Sequence, residues 1–201
     1  MHKNSRAIMG WFKSSYLDEN KILKILDVGS LDINGNYNYK DIFDESNWSY
    51  TGLDVKEGNN VDLVVKDIYN WFEIEDNSYD VVISGQFLQN LEYYWLTMVQ
   101  IERVLKPGGY VCIIAPSGGP NYNDDLLDCC RFTRDGIKAI GKYVGLNILR
   151  FGRDGRDLAK PWYDVYLFAQ KSSNILNDEN SLEVRVNNLE YKLDVLLNKV
   201  K

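Results

Sequence analysis

Histidine is nearly missing from this chain. Among 201 residues there is one, His2, which removes the commonest general base and metal ligand from everywhere but the extreme N-terminus. Cysteine is scarce too. Cys112, Cys129 and Cys130 form no Cys-x-x-Cys pair and no zinc spacing. Cys112 lies in an apolar run and reads as buried filler. The adjacent Cys129 and Cys130 read as reduced thiols in preference to a strained vicinal disulfide. An odd count without a framework points to a reducing, cytoplasmic compartment. No apolar run approaches the ~20 residues of a membrane span, and the first residues lack the apolar core of a secretory signal. Positive charge is in deficit, 23 Lys and Arg against 29 Asp and Glu, for a formal net charge of −6. Nucleic acid is therefore not expected as a general partner, since neutralising phosphates needs a basic face; only a local basic patch stays open.

What the chain does have is a pair of hydrophobic runs, each tipped by an aspartate. Ile25-Leu26-Asp27-Val28-Gly29 reads as a buried parallel strand ending in a glycine turn. Tyr50-Thr51-Gly52-Leu53-Asp54-Val55, one strand–helix–strand unit later, reads as its neighbour, with Asp54 at the carboxyl end. That geometry lets a backbone loop approach a cofactor while an acid takes the two hydroxyls of a ribose. A dinucleotide would need Gly-x-Gly-x-x-Gly, so that a helix N-terminus could receive a pyrophosphate. Here the chain runs Gly29-Ser30-Leu31-Asp32-Ile33-Asn34-Gly35-Asn36-Tyr37. Asp27 and Asp32 would repel a pyrophosphate, yet they would tolerate or favour a sulfonium with an amino-acid tail.

Periodicity supplies the frame. Ile8, Phe12 and Tyr16 recur every four residues with Met9 beside them, an amphipathic helix for which Asn4 or Ser5 is the expected cap. Strands are predicted near 24–28, 49–53, 62–65, 79–84, 109–115, 147–152 and 163–170. Helices are predicted near 91–104 and 134–143, the second capped by Thr133. Residues 36–48, rich in Asn, Asp and Tyr, promise only a short turn or two. Alternating elements imply a mostly parallel sheet with right-handed crossovers. The length and the 45% hydrophobic content suit one domain with a substantial core and an appendage. That domain is expected over 1–170, with a polar linker at 171–180. Beyond it, Leu182, Val186, Leu189, Leu193, Leu196 and Val200 alternate spacings of four and three. This a/d seam over 181–201 predicts a short coiled coil and a homo-oligomer, the alternative being a helix docked on the domain's own surface. About three heptads alone are marginal, so further contacts would be needed.

Taken with these runs, the chain resembles the class I S-adenosylmethionine-dependent methyltransferases over residues 1–170. Tyr79-Asp80-Val81-Val82-Ile83-Ser84-Gly85-Gln86 looks like their fourth strand. Ile101-Glu102-Arg103-Val104-Leu105-Lys106-Pro107-Gly108-Gly109-Tyr110 looks like the helix, turn and fifth strand that follow. Val28-Gly29-Ser30, Asn34-Gly35, Ser84-Gly85-Gln86, Ala115-Pro116-Ser117 and Asp128-Cys129-Cys130-Arg131-Phe132 are most similar to a subgroup associated with glycan and polysaccharide biosynthesis. The resemblance implies a Rossmann-like α/β fold: a seven-stranded, mostly parallel sheet with helices on both faces and the last strand antiparallel. It implies S-adenosylmethionine as cofactor. Asp27 would orient the first loop, and Gly29 and Ser30 would approach the methionine portion. Asp54, with Val55 beside it, would take the ribose hydroxyls. Asp67 would accept from the adenine amine while Ile68 packs on the ring. Ser84, Gly85 and Gln86 would sit at the carboxyl edge, and Tyr37 could close over the cofactor.

The chemistry asks for little. An electrophilic methyl needs an acceptor aligned at near-attack distance, and a hydroxyl acceptor also needs a proton acceptor. Many relatives carry Leu-Glu-His after the fourth strand; this chain has Leu88-Gln89-Asn90. Asp128 is then the leading candidate base, against a plain ion pair with Arg131, with Asp124, Asp125 and His2 behind it. Arg131 could instead hold an acidic or phosphorylated acceptor. Glu92, Tyr93, Tyr94 and Trp95 offer either a stacking surface for a sugar or aromatic core. Asp124, Asp125 and Asp128 read as solvated or capping residues more readily than as a metal site. The function expected is O-methylation of a sugar or glycan precursor. The alternatives are a carboxylate, lipid or protein acceptor, or a decayed cofactor-binding module used for assembly.

Overall fold

The computed structural model describes residues 3–33, 38–120, 127–156 and 159–173. Helix α1 (Lys3–Tyr16) precedes β1 (Leu23–Val28), β2 (Trp48–Asp54), β3 (Leu63–Val64) and β4 (Tyr79–Gly85). Then follow α2 (Tyr94–Val104), β5 (Leu105–Ala115), α3 (Arg134–Tyr143), β6 (Asn147–Arg153) and β7 (Val165–Gln170). All seven strands share one sheet in the order β3-β2-β1-β4-β5-β7-β6. The pairs β1–β2, β1–β4, β2–β3 and β4–β5 are parallel. β7 is antiparallel to both β5 and β6, so β6 runs with the parallel set.

Strict alternation divides the core into two layers. On one face Leu26, Val28, Val82, Val111, Ile113, Leu167 and Ala169 pack with residues of α2 and α3. On the other, Ile25, Val81, Ile83, Cys112, Ile114 and Phe168 pack beneath Ile8, Met9 and Phe12 of α1. Helices therefore cover both faces, as a parallel sheet with no polar side requires.

Most boundaries fall within a residue or two of the predicted ones. α3 begins and ends as expected, and the Thr133 side chain accepts from the Gly136 amide at 3.0 Å. Among the described residues of the link between β1 and β2, the only helical element is a 3-10 turn at Lys40–Ile42. Three expectations shift. Asn4 and Ser5 do not cap α1: the helix starts at Lys3, and both are buried in its first turn. There Asn4 Nδ2 donates to Asp164 Oδ2 at 3.0 Å, a tertiary contact that displaces the cap. α2 starts at Tyr94, later than predicted, because Leu88–Asn90 form their own 3-10 turn and Leu91 is extended. β5 starts early, at Leu105, running through the Lys-Pro-Gly-Gly turn with Gly108 at φ +78°.

Among the described residues no helix is long and apolar enough to cross a membrane. The seam over 181–201 and all but the first residues of the linker lie outside the described residues.

Phe168 joins the α1 layer to the sheet. Its ring is fully buried and lies 5.1 Å from that of Trp11, 5.3 Å from Phe12 and 5.1 Å from Tyr166. Phe168→Ala is expected to cost about 3–5 kcal/mol, read as a lower urea midpoint at unchanged slope.

Candidate functional site

The carboxyl ends of β2, β1 and β4 lie side by side, which is where open α/β sheets bind ligands. The turn after β1 is built on Gly29, at φ +79°. An added Cβ there would lie 2.1 Å from the Phe87 ring, so sterics and the left-handed backbone both require glycine. The amides of Gly29 and Ser30 both donate to the Leu53 carbonyl, at 2.8 and 3.0 Å. Those donors are consumed by β2 and cannot cradle a pyrophosphate. The loop is held from the far side by Asn60, whose Nδ2 donates to the Ser30 carbonyl at 3.1 Å. Ser30 Oγ is buried with no partner among the described residues.

Asp54 ends β2 and is 6% exposed. One carboxylate oxygen accepts the Leu31 amide at 3.2 Å and the other the Val55 amide at 2.7 Å. The group is thereby fixed in orientation by backbone alone, with lone pairs left for a ligand's hydroxyls. Val55 beside it is 40% exposed. Asp27 differs. It is 2% exposed and lies on the α1 face of the sheet. Burial pushes its carboxyl up to about 7; the Tyr50 hydroxyl donated to it works the other way, and the Asp54 charge adds to the rise. A carboxyl poised near neutrality balances an arriving cation.

At the end of β4 the expected residues divide. Ser84 turns inward and donates to the Val28 carbonyl at 2.8 Å, so its hydroxyl serves the sheet. Gly85 leaves room for the Tyr39 hydroxyl, which an added Cβ would meet at 1.9 Å. Gln86 adopts φ +62°. Its amide donates to the Ile114 carbonyl at 2.9 Å, and its Nε2 to Asp164 Oδ1 at 2.9 Å. Asp67 and Ile68 follow β3 in a tight turn, where the Asp67 carboxylate accepts the Tyr69 amide at 2.9 Å. Ile68 is buried, and its carbonyl accepts Trp71 Nε1 at 2.9 Å.

Asp128 and Arg131 pair with one another, the closest separations including Nη2 to Oδ2 at 2.8 Å. Arg131 also donates to the carbonyls of Gly118 and Pro120, at 3.1 and 2.9 Å. The segment is docked at the β4 end because the Gln89 carbonyl accepts the Cys129 and Cys130 amides, at 2.8 and 3.2 Å. The ion-pair alternative raised for Asp128 is thus present, and Arg131 knits two loops together. Of the aromatic group, Tyr94 and Trp95 pack against the core, while Tyr93 stays 48% exposed. Cys112 is buried, and all three cysteines are free. His2, Asn34, Gly35, Tyr37, Asp124 and Asp125 lie outside the described residues.

Asp164 is a residue that reading by motif passes over. It is fully buried where β7 begins, at the carboxyl edge, and the amides of Asn4 and Gln86 both donate to it. A lone acid ahead of the apolar run Val165–Ala169 was the signal available.

Residues 35–113 match the family model described as a methyltransferase domain. A demethylmenaquinone methyltransferase of Staphylococcus haemolyticus is 37% identical over 79 residues, 33% of this chain and 33% of the relative. The chain spans a third or less of the length of the curated relatives it matches. Among solved structures, a Burkholderia thailandensis 1,6-didemethyltoxoflavin-N1-methyltransferase with bound 1,6-didemethyltoxoflavin and S-adenosylhomocysteine superposes with a TM-score of 0.64. It is 14% identical, over 85% of this chain and 77% of that one. An S-adenosylmethionine-dependent methyltransferase from Aquifex aeolicus gives 0.60 at 15% identity, over 83% and 89%. The fold is that of the S-adenosylmethionine-dependent methyltransferases.

The state of Asp27 has a consequence for stability. Its folded value, about 7, lies above the ordinary carboxylate value of 3.8, so the folded chain holds a proton that the unfolded chain releases. Stability is then greatest in acid, below the ordinary value, and is lost as pH rises through 7. Between pH 5 and 8 the unfolding free energy should fall by on the order of 2 kcal/mol. Asp27→Asn should flatten that decline, as measured by urea titrations at each pH.

Proposed function

From a chain with this fold and a methyltransferase domain at 35–113, we propose an S-adenosylmethionine-dependent methyltransferase of a small-molecule acceptor, the methylated group being a hydroxyl of a sugar or glycan precursor. The observation that carries the cofactor is Asp54: a buried carboxylate at the end of β2, oriented by the Leu31 and Val55 amides toward a diol. The other residues fit the same molecule. Asp27 supplies a carboxyl able to ionise against an ammonium or sulfonium. The orphaned Ser30 Oγ lies in the loop that the methionine portion would meet, and the Gly29 turn withdraws its own amides from any phosphate.

When bound, S-adenosylmethionine supplies an electrophilic methyl group. The chain's part is orientation and exclusion of water. Asp54 anchors the ribose, Asp27 offsets positive charge, and Phe87 walls the turn at Gly29. An acceptor must then be held in line with the carbon–sulfur bond. For a hydroxyl, Asp128 serves as proton acceptor, held in place by Arg131. A second reading rests on Gln89 and Asn90, which stand in the turn after β4 where an acid and an imidazole would act as base. Their amides favour an acceptor that needs no base, such as a carboxylate, or a lipid or protein group; a decayed assembly module is the remaining case. Assembly through 181–201 and a cytoplasmic setting complete the proposal.

Release of S-adenosylhomocysteine over a panel of nucleotide sugars, glycans and carboxylic acids tests the acceptor. No turnover on any hydroxyl-bearing member, with turnover on an acid, would replace the first reading by the second. Asp54→Ala should weaken S-adenosylhomocysteine binding by roughly 2 kcal/mol or more, since charge-assisted bonds to two hydroxyls are lost. Unchanged affinity by calorimetry would remove Asp54 from the site. In solution the intact chain should scatter light as a homo-oligomer. Leu189→Asp with Leu193→Asp should be monomeric with cofactor affinity retained, because unpaired carboxylates cannot be buried in a short seam. A monomeric intact chain would overturn the assembly proposal.

A further inference from the structure

Charge is unevenly placed in this chain. Residues 131–160 carry eight Lys or Arg against three Asp, although the formal net charge of the whole is −6. These residues build α3, β6 and the loop after it, at one edge of the sheet. Basic side chains on an edge strand often serve only to discourage pairing with another sheet. Two features here exceed that role. The Arg150 guanidinium lies over Trp11 at 4.9 Å and that of Arg153 over Tyr163 at 4.6 Å, so aromatic faces orient them without neutralising them. Arg153 Nε also donates to Ser117 Oγ at 2.8 Å. Both Ser117 and Tyr163 lie inward of the edge, so the Arg153 head is drawn away from it and toward the site. Its two terminal nitrogens form no hydrogen bond among the described residues.

Arg153 is also among the residues that line a cavity of about 270 Å³ between α1 and the β6–β7 pair. Its other walls are Ala7, Ile8, Trp11, Tyr166, Arg156 and one acid, Asp154. Arg156 is gripped by Asp154, whose carboxyl is held below its ordinary range by that pairing, and Arg156 Nη2 reaches Asn4 Oδ1 at 3.3 Å. From there an unbroken chain of hydrogen bonds runs inward. Asn4 donates to Asp164 at 3.0 Å, and Gln86 donates to the same carboxylate at 2.9 Å. The cavity is thus wired to the end of β4. Arg153 pairs with Val165, and Val165 with Ala115, so all lie at the carboxyl level of the sheet. Three strand spacings separate β4 from β6, which is roughly 15 Å.

We propose that this cavity is a subsite for an anionic group, a phosphate or a carboxylate, carried by the methyl acceptor. Arg153 is its principal ligand, Arg156 its second, and Trp11 and Tyr166 the walls. The assignment to the acceptor rests on the methyltransferase reading. It implies an elongated acceptor whose anion lies on the order of 10–15 Å from the methylated atom.

The test uses the full chain at fixed chloride concentration. Inorganic pyrophosphate and malonate are titrated separately while the Trp11 indole resonance, assigned through Trp11→Phe, is followed by NMR. S-adenosylhomocysteine affinity is measured in parallel by calorimetry. A saturable shift with at least one anion is expected, and the tighter of the two identifies phosphate or carboxylate. Arg153→Ala should weaken that binding roughly tenfold or more while S-adenosylhomocysteine affinity stays within twofold, which also shows the variant is folded. No saturable shift with either anion, or equal anion affinity in Arg153→Ala, would overturn the subsite. If the wild-type chain binds anions but not S-adenosylhomocysteine, the methyltransferase reading falls and takes the acceptor assignment with it.

Discussion

A carboxyl group out of reach of water must be hydrogen-bonded or its burial is costly, and in this molecule that group is Asp164. It sits where β7 enters the sheet, and it accepts amides from residue 4 and residue 86. Three distant parts of the chain are thereby committed to one point: the first turn of α1, the carboxyl end of β4 and the start of β7. Gln86 keeps its left-handed backbone there, which directs Phe87 over the Gly29 turn. The shape of the Gly29 turn is set from behind, by a residue that does not line it.

The two aspartates at the ends of β1 and β2 show how position separates chemistry. They are neighbours in the sheet, Asp27 level with Gly52 and Asp54 just beyond. Asp54 accepts two backbone amides, which fix the orientation of its carboxylate. Asp27 faces the α1 layer, and burial leads its upward shift. One acid can hold a diol while the other responds to charge.

The frame was legible because it rests on local pattern. Alternating apolar runs fixed all seven strands to within a few residues, and Thr133 with its helix was readable in full. The Asp27, Gly29 and Asp54 cluster was readable because strand ends and glycine turns obey short-range rules. What escaped was long-range. Asn4 reads as a cap because polar residues at helix starts usually are; only the fold brings Asp164 beside it. Asp164, Asn60 and Phe87 act through partners between about 30 and 160 residues away, or across a turn whose shape no single stretch encodes. The pairing of Arg131 with Asp128 was readable as a possibility, since they are three apart, but its anchoring to Gly118 and Pro120 was not.

The strand order carries a consequence for how the protein is made. β7 lies between β5 and β6, so the sixth strand cannot join the sheet until the seventh has been synthesised and threaded beside it. Part of the first helix waits as well, since Trp11, Phe12 and Tyr16 close on Phe168. During translation the β5 edge, and the part of α1 that meets Phe168, therefore remain uncovered until residue 170 has cleared the ribosome, although the rest of the α1 face can already close on β1, β4 and β5.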